Sequence, residues 1–181
     1  RGLYLRERPG IWHLFDEKDG LLPSGLLGLA FLPDGSAWVH AVEPQGLQRI
    51  RIDGTQLTVL ERRRAGQGIR SDRIYAVAVD PEGRAWASSS QGFGCLDRPI
   101  HLGRREGMIS EDCDLLALMA EKGRIWVGTS AGIVRYDIGE GPVPLPPPVP
   151  SILFAQKGEQ RLEAPAKVLE PVRPDESSLA F

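Results

Sequence analysis

Over residues 2 to 138, apolar and polar positions alternate in runs of four to seven residues. That is the period of a strand that buries one face. The first full group of runs is Leu27–Leu32, Ala37–Val42, Gly46–Ile52 and Gln56–Leu60. The next is Ile74–Val79, Arg84–Ser88 and Gly94–Asp97, and the last is Leu115–Met119, Ile125–Gly128 and Gly132–Asp137. Between the first two runs of each group lie Pro33–Gly35, Asp80–Gly83 and Glu121–Gly123. Each is a polar turn closed by glycine, the residue that reaches positive φ without strain. The opening segments Gly2–Arg6 and Ile11–Phe15 read as the last two strands of a preceding group.

The groups repeat in detail. A glycine and a polar turn precede each first strand, and a tryptophan opens each second strand: Gly20 to Trp38, Gly68 to Trp86, Gly107 to Trp126. The spacings are 18, 18 and 19 residues, and the tryptophans lie 48 and 40 residues apart. A 40- to 50-residue unit of short strands is the sequence form of a β-propeller blade. Three tryptophans in one slot point to blade packing and not to a ligand box. The expected fold is therefore all-β: a partial β-propeller of about three four-stranded antiparallel blades. Its predicted boundaries are residues 1–15 for the last strands of an incomplete blade, then blades at 16–65, 66–105 and 106–140. Six of residues 141–150 are proline, a stiff extended linker. Residues 151–181 carry β-like pieces at Ile152–Phe154, Lys167–Leu169 and Leu179–Phe181, expected to open a second all-β module. About three blades are fewer than a closed ring takes, so the chain reads as a piece of a longer protein, by design or by proteolysis.

Composition narrows the function. The net charge is −2 with 41% apolar residues, a balance that argues against nucleic acid as a partner. No apolar run has the length of a membrane span. Any membrane attachment is expected through parts of a parent chain outside this sequence. Asparagine is absent, so no N-glycosylation acceptor exists. Cys95 and Cys113 are too few for a disulfide scaffold and read as two separate buried thiols, the alternative being a bridge between them in an oxidising compartment.

The segment Gly123–Asp137, with Trp126, Gly128, Thr129, Gly132, Arg135 and Asp137, closely resembles the two-component regulator propeller repeat. Gly20–Ser24 matches the start of that repeat. The resemblance covers about residues 2 to 138 and is strongest in the third copy. The first two copies have lost the Gly-Thr pair after their tryptophans. The resemblance implies a periplasmic, ligand-sensing region of a bacterial receptor whose output is a histidine kinase or a diguanylate cyclase. Neither output domain is in this sequence. It also implies that residues 151–181 begin an immunoglobulin-like, three-tyrosine module.

Candidate chemistry is sparse. Gly128–Gly132 fits the G-x-S-x-G nucleophile elbow, but strand-forming residues follow it and all three histidines precede Ser130. His13, His40 and His101 are scattered without metal-ligand spacing. Glu111–Asp114 lacks the calcium-loop pattern and reads as a solvated loop. Glu61–Arg64 reads as a solvated strand edge. Gly92–Gly94 is no dinucleotide loop. No catalytic residue, metal or cofactor is therefore expected. The ligand, a small molecule or glycan, is expected on one propeller rim. His40, Glu43 and Gln91 come from the loops joining second to third strands. Arg70 and Arg73 come from a loop leading into a first strand, and they suit an anionic sugar. The competing readings are a protein-interaction scaffold and, further off, a propeller lyase. Incomplete blades are also expected to bind another copy or missing blades.

Overall fold

A computed structural model describes residues 2–139, 154–157, 160–163 and 179–180. The chain divides into two compact units, Arg1–Leu145 and Pro146–Phe181.

The first unit contains four antiparallel sheets in chain order. A hairpin of β1 (Leu3–Arg8) and β2 (Ile11–Phe15) comes first. The second sheet runs in order β3 (Leu26–Phe31), β4 (Ala37–Ala41), β5 (Leu47–Asp53), β6 (Gln56–Arg63). The third repeats it with β7 (Ile74–Val79), β8 (Ala85–Ser89), β9 (Gly92–Cys95) and β10 (His101–Leu102). The fourth has three described strands, β11 (Cys113–Glu121), β12 (Arg124–Thr129) and β13 (Gly132–Asp137). Among the described residues the only helical pieces are two 3-10 turns, Glu17–Asp19 and Arg104–Glu106. Each is closed by a glycine at positive φ, Gly20 and Gly107.

Three apolar cores lie between successive sheets. Phe15, Leu3 and Leu5 of the hairpin pack with Val39, Ile50 and Val59. Trp38 and Leu47 pack with Ile74, Ala85 and Ala87. Trp86 and Phe93 pack with Ile125, Val127 and Tyr136. The apolar sets that alternate along each strand are thus buried between neighbouring sheets. Sequential four-stranded antiparallel sheets packed in this way make the unit a partial β-propeller.

The repeating tryptophan has one role in the first two copies. Trp38 and Trp86 are 1% and 0% exposed, each facing the following sheet. Trp126 sits in the last described sheet and is only half-buried. Its indole Nε1 donates to Glu121 at 2.8 Å, as Trp86 donates to Asp80 at 2.9 Å.

Differences from the sequence reading are local. The third blade shows three strands, not four, among the described residues. Gly92–Gly94 is inside β9, two residues ahead of the predicted strand start, and the two-residue β10 had no periodic signal. The run Glu61–Arg64 is not simply a solvated edge. Arg62 donates to the Gly20 carbonyl (2.9 Å), and Arg64 to Pro44 O (3.3 Å) and Gln45 (3.1 Å). Arg63 covers the Trp38 ring at 5.1 Å and donates to Leu96 O of the next sheet. Long guanidinium side chains reach across a sheet boundary while their heads stay hydrogen-bonded. Cys95 and Cys113 are free and buried in one core, and burial raises both thiols, that of Cys113 to about 11.

In the second unit, β14 (Phe154–Lys157) pairs with β15 (Gln160–Glu163) and with β16 (Leu179–Ala180), all antiparallel. The Pro-rich run 141–150 and the predicted strand at 167–169 lie outside the described residues.

Candidate functional site

The loops leading into first strands and those joining second to third strands share one end of the first unit. They are stitched together by backbone. Gly46 donates to Asp72 O (2.8 Å) and Gly92 to Glu111 O (2.6 Å), each linking one blade to the next. Ser130 donates to Asp112 O at 3.1 Å within the last blade.

At this end of the second blade lies a cleft of about 240 Å³, counting its open mouth. Arg70, His101, Ser88 and Ser89 are its polar lining, and Gly68, Gly92 and Gly94 leave room around them. Most of that space lies too close to the walls to be filled, and the cleft has room for roughly one water. The Ser88 hydroxyl is fully buried and has no hydrogen-bond partner. A buried hydroxyl normally has one, so a polar group delivered to the cleft floor would be stabilised there. Ser89 is held differently, its Oγ donating to Gly92 O at 3.2 Å and accepting from Gln91 N at 3.1 Å.

The mouth carries charge. Arg70 Nη2 lies 3.6 Å from Glu106 Oε1, with both side chains partly exposed. Glu106 in turn accepts from Gly103 N at 2.8 Å. The Glu111 carboxylate also lies over Gly103, where a side chain would crowd it. His101 Nε2 donates to the Gln91 carbonyl at 2.8 Å, which fixes the tautomer. Burial lowers the His101 pKa, and Arg70 adds to this while Glu106 and Glu111 oppose it. The imidazole is thus neutral at pH 7, and Arg70 is the cation at the mouth. An exposed pair such as Arg70–Glu106 is worth little on its own. Its guanidinium can therefore exchange Glu106 for an incoming carboxylate at small cost.

No protein-family model matches the sequence. No curated protein matches it either. One solved structure that does match is a protein provisionally assigned as a gluconolactonase. The match has 19% identity and a TM-score of 0.47, over 63% of this chain. The chain spans 39% of the length of that protein.

Of the five residues proposed from sequence, Arg70 lines this cleft, and Gln91 lies outside the lining, its carbonyl accepting from the lining residue His101. Glu43 is exposed in the first blade's loop, and Arg73 is exposed beside Asp72, away from the cleft lining. His40 is not on a loop. It lies inside β4, is 0% exposed, and fills the space left by Gly28, whose Cβ would lie 2.6 Å from its Nε2. Ala41 is buried too, so the strand continues one residue past the histidine before the loop begins. His101 and Ser88 were missed. Position 101 belongs to a strand too short to show periodicity, and a serine run carries no signal for which hydroxyl is orphaned. Gly128–Gly132 forms a strand–turn–strand hairpin with Thr129 opposite Gly132, not an elbow into a helix. Its Ser130 hydroxyl meets Ser110 Oγ at 3.1 Å.

Proposed function

We propose that the first unit is the ligand-sensing, non-catalytic propeller region of a bacterial receptor of the two-component or cyclic-di-GMP class, working outside the cytoplasmic membrane. The repeat residues Trp126, Gly128, Thr129, Gly132, Arg135 and Asp137 support the receptor class. The observation that carries ligand binding is the second-blade cleft. One exchangeable guanidinium, Arg70, stands at its mouth and one orphaned hydroxyl, Ser88, lies at its floor.

The ligand class proposed is an acidic sugar held at the mouth, since the cleft itself has room for only a water. Its carboxylate takes over the Arg70 guanidinium from Glu106, and a water in the cleft satisfies Ser88. Binding is transmitted as a shift between two arrangements of the receptor, driven by the difference in ligand affinity between them. The test is calorimetric titration of the chain with galacturonate, glucuronate and their neutral parent sugars. The acidic sugars are expected to bind and the neutral ones not. Arg70→Ala is expected to weaken binding about tenfold or more, the usual scale for losing a charge-assisted hydrogen bond. No binding by either acid, or binding indifferent to Arg70→Ala, would remove this reading.

A further inference from the structure

The second blade has a cleft where the first blade is filled. The same turn precedes both sheets. The amide of Asp16 donates to the Asp19 side chain and that of Arg64 to the Gln67 side chain, both at 2.9 Å. Each turn ends on a glycine at positive φ, Gly20 (93°) and Gly68 (83°). In the first blade the Gly20 carbonyl accepts from Gln48 Nε2 at 2.6 Å and from Arg62 Nη2 at 2.9 Å. Gln48 is buried and stands in one row with Val39 and Arg62. Strand register gives the matching row of the second blade as Ala87, Gly94 and His101. Gly94 brings no amide, and among the described residues no donor reaches the Gly68 carbonyl. The backbone also keeps position 94 bare, since a Cβ there would lie 2.6 Å from Ile100 O. The recess left behind holds the orphaned Ser88 hydroxyl and has room for one water.

The mouth beside this recess is short of one cation. A Cβ on Gly103 would lie 3.3 Å from Glu111 Oε2, 3.4 Å from Glu106 Oε2 and 3.8 Å from Arg70 Nη1, so two carboxylates gather around one guanidinium. Glu106 has Arg70 as its partner. Glu111 has no cationic side chain within ion-pair distance among the described residues, and its Oε2 accepts only from the Arg104 backbone, at 3.5 Å. The side chains of Arg104 and Arg105 are exposed on the same turn and do not pair with it. A plain uronate would add a second uncompensated negative charge here, whereas a zwitterion would add none.

Resting on the acidic-sugar reading, we propose that the ligand also carries a free amino group, which displaces the water from the recess while the carboxylate stays on Arg70 at the mouth. An amino group is close to a water in size, so it fits where a larger substituent does not. It takes the place of the amide that Gln48 supplies in the first blade. Its N–H groups donate to the Gly68 carbonyl and to Ser88 Oγ, the two acceptors of the recess that lack a partner. In its protonated form it also brings positive charge near Glu106 and Glu111, both of which act on His101 in the recess wall.

The test is calorimetric titration of the full chain at neutral pH with galacturonate, galactosaminuronate and N-acetylgalactosaminuronate. The free amine is expected to bind about tenfold tighter than galacturonate or better, the scale of one charge-assisted hydrogen bond. The acetylated form is expected to lose that advantage, because it carries no charge on nitrogen and its acetyl group exceeds the recess. Ser88→Ala is expected to shrink the advantage of the amine over galacturonate. Circular dichroism reports whether the variant stays folded, and the acetylated sugar probes the same recess on the wild type. Galacturonate binding that is weakened in Arg70→Ala, with no gain for the amine, overturns this inference and leaves the acidic-sugar reading standing. An advantage that survives acetylation, or is untouched in Ser88→Ala, also overturns it. Binding of none of the three sugars removes both readings.

Discussion

At the residue scale, the second blade hangs on one carboxylate. Asp80 is 4% exposed and accepts from Trp86 Nε1 (2.9 Å), Arg84 Nε (2.6 Å) and the backbone N–H groups of Arg84 (2.9 Å) and Glu82 (3.1 Å). Burial alone would raise its pKa. The hydrogen bonds from Trp86 and Arg84 outweigh burial and hold it below the usual range. The first blade has Leu32 at this position, and there Trp38 Nε1 has no acceptor. The Arg63 guanidinium lies over the ring at 5.1 Å, a cation–π contact with its face that leaves the N–H without an acceptor. Asp80→Asn is therefore expected to destabilise the protein by about 2 kcal/mol, by weakening the charge-assisted hydrogen bonds from Arg84 and Trp86, although Arg84 keeps Glu82 at 3.0 Å. Glu121→Gln, at a half-exposed site with the same indole contact, should cost under about 1 kcal/mol. Urea unfolding of the two variants measures the difference, and equal losses would dismiss the argument.

His40 gives a second residue-scale prediction. Burial lowers its pKa from 6.5 to about 4, the nearby Ile74 backbone offsetting part of the effect, and neither ring nitrogen has a hydrogen-bond partner. The folded state thus keeps the imidazole neutral where the unfolded chain already binds a proton. Stability from this group is complete above pH 6.5, falls as the pH drops from 6.5 to about 4, and changes no further below that. The loss over that window is about 3 kcal/mol. His40→Leu should flatten this limb of the stability profile in chemical unfolding. A profile with the same slope in the variant would assign the acid sensitivity to other groups.

At the element scale, glycine marks where a third strand meets a fourth. A Cβ on Gly2, Gly46 or Gly92 would run into the carbonyl of Phe15, Arg63 or Leu102, each at the end of the paired fourth strand. Gly132 holds the same place at the start of β13, yet meets no such carbonyl among the described residues. The repeat keeps the glycine where the last sheet shows no fourth strand. Gly92→Ala combines positive φ (91°) with that collision, whereas Gly35→Ala has positive φ (80°) and open space. The second should cost about 1 kcal/mol, and the first at least about 2 kcal/mol, with loss of the short β10 pairing. Thermal unfolding and amide exchange at His101 and Leu102 compare them, and equal costs would show that the carbonyl approach does not matter. Most of the strands were legible in the sequence to within one or two residues, because each buries one face and alternation reports that directly. β10 was not, because two residues cannot display a period.

At the scale of the whole molecule, stability is spread over three inter-sheet cores, each joining only neighbours in sequence. In such a stack each sheet depends on its immediate neighbours for burial. The all-β class, the blade period and the packing role of Trp38 and Trp86 were readable along the chain. These follow from local alternation and turn chemistry, which a chain carries at every point along its length. Which polar groups converge emerged from the folded chain alone. Arg70 and His101 line one cleft because the loop before β7 folds over β8 and β9. His40, one residue from a strand end, is sealed in a core, and the Ser88 hydroxyl is left without a partner. Burial and orphaned hydrogen-bonding capacity depend on what neighbouring sheets bring within a few ångströms, and spacing along one chain does not encode that.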